Sequence, residues 1–237
     1  MVFLVVESSQ SVRESLCYVL LAFGVRGIPV ANRKSAVEAL GKNATVDGAI
    51  VDIDNKDVDG TQLISELKGS ESTRGISIIV HTVQTSKDIV MRMVDLGVAG
   101  YLLKPFDADT AKTKLAAIFS KLATHNSQRR HIRVRPSSDE LARVSFRIGR
   151  AKQITSGRIV DISLGGMAAE LLNPPEGDAI APGTPISRME IALAGKTLSP
   201  SASVVMYKLK VLAVRFDILN PSDKKALERY IFKSISS

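Results

Sequence analysis

The sequence predicts two domains of different class. The first is an α/β doubly wound domain with a five-stranded parallel sheet, and the second a six-stranded antiparallel β-barrel with a C-terminal helix. Three observations lead there. Up to about residue 123, short apolar runs alternate with segments of helical period. Beyond Pro136 the period falls to two, with turn-rich breaks between runs. The charge also changes at this junction. Residues 1–124 hold 14 Lys+Arg and 14 Asp+Glu, whereas residues 125–237 hold 18 and 10, so the whole net charge of +8 lies in the second half. At 237 residues the chain can bury two ordinary cores.

In the first half, Phe3–Val6 reads as a buried strand, and Val12, Leu16, Val19, Leu20 and Phe23 follow at helical spacing up to Gly24. Ile28–Ala31 is the second strand and Ser35–Leu40 a short helix. Ala49–Val51 is the third strand, followed by a helix marked by Leu63, Ile64 and Leu67. Ile76–Val80 is the fourth strand, with a helix marked by Ile89, Met93 and Val94. Tyr101–Leu103 is the fifth, and Leu115, Ile118, Phe119 and Leu122 give the last amphipathic helix. Cys17 is the only cysteine, which excludes a disulfide framework and a cysteine-based metal site; its place in an apolar helix predicts a core filler. The start, Met1–Glu7, lacks a basic stretch and a cleavage site. No apolar run is long enough to span a bilayer, so a cytoplasmic protein is expected.

In such folds the working residues gather at the carboxyl ends of the strands. There the sequence places Glu7 and Ser8 after strand one, Asp52, Asp54, Asp57, Asp59 and Gly60 after strand three, Thr82 after strand four, and Lys104-Pro105-Phe106 after strand five. A carboxylate nucleophile can form an acyl phosphate, and a lysine and a hydroxyl can complete an anion cradle. His81 has no second His or Cys at metal spacing and reads as a hydrogen-bonded imidazole. Over about residues 1–123 this order resembles the response-regulator receiver domain, a CheY-like domain of flavodoxin-like fold. The resemblance implies Asp52 as phosphoacceptor, Lys104 as the cation that meets the phosphoryl group, Thr82 and Tyr101 as switch residues, and a sensor histidine kinase as partner. It also implies Mg²⁺ at Glu7, Asp52 and Asp54. Ser8 departs from the pattern, because the family has a second, metal-contacting carboxylate there, and Lys56 stands where proline is usual. Both weaken the expected metal site.

At the junction, four arginines fall within seven residues: Arg129, Arg130, Arg133 and Arg135. No acidic residue lies between Asp109 and Asp139 to neutralise them, and Pro136 disfavours helix at Arg135. This segment is expected to be extended or mobile when no ligand is bound. Beyond it, Val144, Phe146 and Ile148 alternate with polar residues. Further strands follow at Ile159–Ser163, Met167–Leu171, Met189–Leu193, Ala202–Tyr207 and Val211–Leu219. Asn220-Pro221 then opens a helix whose Ala226, Leu227, Tyr230 and Ile231 pack on the barrel.

Arg129 and Arg133 form R-x-x-x-R, and Asp161, Ser163 and Gly166 form D-x-S-x-x-G. Asp161 and Ser163, two apart on one strand, face the same way. Together the two patterns resemble the PilZ domain, a receptor for cyclic di-GMP. The resemblance implies that Arg129, Arg130 and Arg133 hold the phosphates and stack on guanine, that Asp161 accepts from the guanine edge, and that Ser163 and Gly166 shape the turn beneath. The expected limits are a receiver domain over 1–123, a linker over 124–128 and a PilZ domain over 129–237.

Two function classes remain. One is a cyclic di-GMP-binding signalling effector of the response-regulator class acting on a downstream protein. The other is a non-phosphorylated pseudo-receiver/PilZ adaptor that uses its basic half on protein or nucleic acid without a nucleotide. No DNA-binding motif is evident, and sparse aromatic residues disfavour single-strand binding. No catalytic set appears beyond the matched motifs, so a non-enzyme is expected.

Overall fold

Short runs of branched apolar residues build the first sheet. In this computed structural model the strands are β1 (Val2–Val6), β2 (Arg26–Val30), β3 (Gly48–Asp52), β4 (Ser77–Thr82) and β5 (Gly100–Leu103). All pair in parallel, in the order β2-β1-β3-β4-β5. The structure describes residues 1–42, 45–85, 91, 95–122, 131–137, 139–148, 153–174, 180–186 and 188–236. Within these, the chain forms two compact units, Met1–Arg130 and His131–Ser237.

The central strands β1, β3 and β4 are buried almost throughout, as a parallel sheet covered on both faces requires. The covering helices are α1 (Gln10–Leu21), α2 (Arg33–Lys42), α3 (Gly60–Gly69) and α4 (Ala108–Leu122). Leu63, Ile64 and Leu67 of α3 pack with Leu4, Val6, Val51 and Val80 of the sheet. Phe119 of α4 meets Phe3 edge-on, 5.4 Å between ring centroids, and lies 5.3 Å from Phe23. The helix expected from Ile89, Met93 and Val94 lies outside the described residues. Met91 is exposed.

The second unit has β6 (Arg143–Ile148), β7 (Gln153–Ser163), β8 (Gly166–Leu171), β9 (Pro185–Ile186), β10 (Met189–Leu193), β11 (Lys196–Leu198), β12 (Ser201–Lys208) and β13 (Val211–Ile218). It ends in α5 (Pro221–Ser236). The pairing is antiparallel, in the order β11-β10-β6-β7-β8-β13-β12-β9. Two points correct the sequence expectation. The sheet has eight strands rather than six, because β9 and β11 are too short to show alternation. Its hydrogen-bonded order also runs from β11 to β9 without closing, so the expected barrel is an open sheet among the described residues.

The hairpins β10–β11 and β12–β13 turn on Ala194-Gly195 and Leu209-Lys210, all four with positive φ, the geometry that matches strand twist in two-residue loops. Helix α5 begins with a reciprocal cap: Asp223 N–H donates to Asn220 Oδ1 and Asn220 Nδ2 to Asp223 Oδ2, each at 2.8 Å. Leu227 and Ile231 are buried beneath it.

Cys17 is fully buried on α1, and burial pushes its thiol up to about 12. In native protein at pH 8, a chromogenic disulfide reagent should therefore modify essentially no thiol, and one per chain after unfolding. Rapid native labelling would contradict this packing.

Candidate functional site

In the first unit the sheet order reverses at β1 and β3, so their carboxyl ends open side by side. Glu7 and Asp52 stand there, both buried. Gly60 makes the close approach possible. A Cβ on it would lie 2.0 Å from the Asp52 carbonyl oxygen, and Asp59 before it takes the left-handed conformation at φ 53°. Lys104, at the end of β5, reaches across to Asp52 Oδ1 at 2.6 Å, Asp54 Oδ2 at 3.5 Å and Glu7 Oε2 at 4.0 Å. One ammonium thus serves three carboxylates. Partial burial works against its charge, but the Asp52 hydrogen bond and the surrounding carboxylates outweigh this and hold it above its ordinary value.

The remaining partners are internal. His81 Nδ1 lies 2.9 Å from Glu7 Oε2, as expected of a hydrogen-bonded imidazole, and Ser9 N–H donates to Glu7 Oε1. Thr82 Oγ1 donates to Asp54 Oδ1 and Val83 N–H to Asp54 Oδ2, each at 2.7 Å. Ser8 Oγ accepts from Asn55 Nδ2 at 2.7 Å. Tyr101 stands 43% exposed on β5, with Lys114 Nζ 4.8 Å from its ring centroid.

This donor set does not fit the Mg²⁺ site expected at Glu7, Asp52 and Asp54. Both carboxylate oxygens of Glu7 and of Asp54 are engaged within the fold, and Asp52 Oδ1 is held by Lys104 and by Asp54 N–H. Of the six oxygens of these three carboxylates only Asp52 Oδ2 is buried without a hydrogen-bond partner, and Ser8 brings no charge. Among the described residues no three Asp, Glu, His or Cys side chains converge on a cation position. The physical reason is competition: Lys104 already meets the carboxylate oxygens that a divalent ion would otherwise bridge.

In the second unit the turn from β7 to β8 carries Asp161, Ser163 and Gly166. Ser163 is buried; its Oγ donates to Gly166 O at 3.1 Å and accepts Gly165 N–H at 3.3 Å. A Cβ on Gly166 would lie 2.1 Å from Val214 O on β13, so the backbones can meet there only at glycine. The arginine segment reaches this turn as an added piece of strand. Val134 and Ile162 exchange both backbone hydrogen bonds at 2.9 Å, and Val134 is buried. Arg133 Nη1 then lies 3.1 Å from Asp161 Oδ1. Of the two states expected, extended or mobile, the described part from His131 onward is extended and anchored, because Val134 supplies an apolar anchor that the weight of positive charge concealed. Arg129 and Arg130 lie outside the described residues.

The fold and these sites define a two-unit protein, one unit with a lysine-bridged carboxylate pocket and one with an arginine–aspartate pair beside a glycine turn. A family model of the response regulator receiver domain matches residues 3–116, and one of the PilZ domain matches residues 127–233. The chain carries one domain of each family, the composition of a signalling protein. Its first half is 24% identical over 122 residues to chemotaxis protein CheY-3 of Vibrio cholerae, covering 52% of this chain and 94% of that protein. It is 27% identical over 120 residues to the phosphate regulon transcriptional regulatory protein PhoB of Escherichia coli, covering 51% of this chain and 52% of that protein. Among solved structures, chemotaxis response regulator CheY4 of Vibrio cholerae matches at 22% identity and TM-score 0.45, covering 49% of this chain and 97% of that one. The PilZ domain with c-di-GMP of YcgR from Escherichia coli matches at 20% identity and TM-score 0.39, covering 46% and 92%.

Sequence reasoning missed the Asp54–Thr82 and Ser8–Asn55 contacts and the seating of Val134. The last had a readable signal, the alternation of Ile132 and Val134 with Arg133 and Arg135.

Two outcomes follow from the pocket. Ser8→Asp should raise Mg²⁺ affinity, read by titration calorimetry, and raise acyl-phosphate labelling of Asp52; wild-type protein that labels as readily as the variant would contradict the role given to Ser8. Acid should also act on Glu7. Burial pushes its carboxyl up, but hydrogen bonds from His81 and Ser9 and the charge of Lys104 outweigh burial and hold it below its ordinary value. A depressed carboxyl stabilises fully above its unfolded value of about 4.3 and loses that contribution as pH falls through the lower native value. Unfolding temperature should therefore drop below about pH 4.3, with a shallower drop in Glu7→Gln.

Proposed function

We propose that this protein is a cyclic di-GMP-binding signalling effector, with the nucleotide held by its PilZ domain. The observation that carries the reading is the Val134–Ile162 bridge, which brings Arg133 of R-x-x-x-R to Asp161 of D-x-S-x-x-G. Arginine suits both parts of such a ligand, giving forked donors to phosphate and a flat face to guanine. Arg129, Arg130 and Arg133 hold the phosphates and stack on the base, Asp161 accepts from the guanine edge, and Ser163 and Gly166 fix the turn beneath. Without ligand, Arg133 and Asp161 satisfy each other across an exposed pair of small energetic value, which a nucleotide can readily replace. The ligand class is that of the YcgR PilZ structure.

The receiver, over residues 1–123, is joined by residues 124–128 to the PilZ domain over 129–237. Asp52 is its phosphoacceptor by position, with Thr82, Tyr101 and Lys104 as switch residues and a sensor histidine kinase as donor. A second reading of this domain is favoured by Ser8 and by the engaged carboxylates: a pseudo-receiver that contacts a partner without phosphoryl transfer. In either case the protein acts in the cytoplasm, without catalysis, on a downstream protein.

Calorimetry tests the nucleotide reading, with cyclic di-AMP and duplex DNA as controls. Cyclic di-GMP should bind and the controls should not. A hydrogen bond to a charged group contributes about 1.5–3 kcal/mol. Arg133→Ala and Asp161→Ala should then each weaken binding by roughly tenfold or more. Unchanged affinity in both, or preference for DNA, would overturn the assignment.

A further inference from the structure

Two residues at the nucleotide turn fall on unspecified positions of the two motifs. His131 is an intervening residue of R-x-x-x-R, and Gly165 an intervening residue of D-x-S-x-x-G. In the structure they meet. A Cβ built on Gly165 would lie 2.3 Å from His131 Cδ2 and 2.8 Å from His131 Nε2, closer than side chains approach, so the imidazole fills the space a side chain would need. The glycine is fixed on both sides. Its N–H donates to Ser163 Oγ at 3.3 Å, and its carbonyl accepts from Phe216 N–H of β13 at 3.0 Å.

The arginine segment therefore touches the turn at three successive places: the His131 ring on Gly165, the Arg133–Asp161 pair and the Val134–Ile162 bridge. The Arg133–Asp161 pair must open for both groups to serve a ligand. The other two contacts can persist, one on each side of Arg133 in the chain. The place of the ring on Gly165 thus limits where Arg133, two residues on, stands at the turn.

We propose that His131 is a positioning residue for cyclic di-GMP binding and that Gly165 is its seat. The ring packs on bare backbone and, together with the Val134 bridge, holds the backbone of Arg133 where its guanidinium meets the phosphates. This rests on the cyclic di-GMP reading and adds to it a determinant outside the motif residues. Pre-organising a segment raises affinity by removing its ordering cost from the binding step.

The test is a double-substitution cycle in the full-length protein: His131→Ala, Gly165→Ala, the pair, and His131→Phe, which keeps a flat ring without the imidazole nitrogens. Three quantities are measured: cyclic di-GMP affinity by calorimetry, unfolding temperature, and hydrogen exchange of the Val134 and Ile162 amides in the free protein. Each alanine variant should lose affinity by about tenfold. The pair should lose little more than either alone, because contacting residues are not additive. His131→Phe should stay within about threefold of wild type. In the free protein, His131→Ala and Gly165→Ala should speed exchange at Val134 while leaving the unfolding temperature nearly unchanged. The proposal is overturned if the single variants bind as wild type does, if their losses multiply, if His131→Phe behaves as His131→Ala, or if Val134 exchange is unmoved. Wild-type protein that fails to bind cyclic di-GMP would overturn the ligand reading instead, and the exchange of Val134 would then decide whether Gly165 seats the ring.

Discussion

Two backbone hydrogen bonds between Val134 and Ile162 determine what the second domain can offer a ligand. Through them, a segment dense in positive charge becomes strand. Val134 turns inward and is buried, so Arg133 and Arg135 turn outward by the period of two. Without this anchor the arginines would repel one another and spread into solvent. With it, Arg133 stands over Asp161, and two stretches about thirty residues apart in sequence form one surface. The glycine turn beneath is as constrained, since the β13 backbone leaves no room for a side chain at Gly166.

The first domain depends on a different balance. Three carboxylates gather at the ends of β1 and β3, and Lys104 is their common counter-charge. The direction of each shift agrees with this. Hydrogen bonds and the Lys104 charge overcome burial at Glu7 and Asp54, and the carboxylates overcome it at Lys104. A pocket so internally satisfied resists a change of charge. Thr82 is engaged too, since its hydroxyl donates to Asp54. An incoming phosphoryl group would have to displace Lys104 from Asp52 and Thr82 from Asp54 before either could serve it.

The parallel sheet was legible because its strands are buried on both faces and read as unbroken apolar runs bounded by helical periods. The site residues of this domain were legible because strand ends collect them. Their partners were not, since Asp54 could equally face a cation or Thr82, and spacing does not distinguish the two. In the second domain Val144, Phe146 and Ile148 announced β6 by alternation. Gly157 concealed the first half of β7, because a glycine inside a strand erases the pattern there. Strands of two and three residues, β9 and β11, carry no period at all. The anchoring of Val134 was overlooked because four arginines dominate the composition of their window, whereas one buried valine decides where the backbone goes.

The margins of the two sheets share a further property. The first is bordered by β2, interrupted by Pro29, and by the four-residue β5; the second by β9 and β11, of two and three residues. Proline presents no N–H, and a stub offers one or two rungs at most. A stray strand from a neighbouring molecule, which could otherwise extend a sheet and seed fibrous aggregation, meets a short or proline-interrupted outermost strand at each end of the described sheets. Both sheets of this basic, aliphatic-rich chain thus end in strands that limit how far a neighbour's strand could add to them.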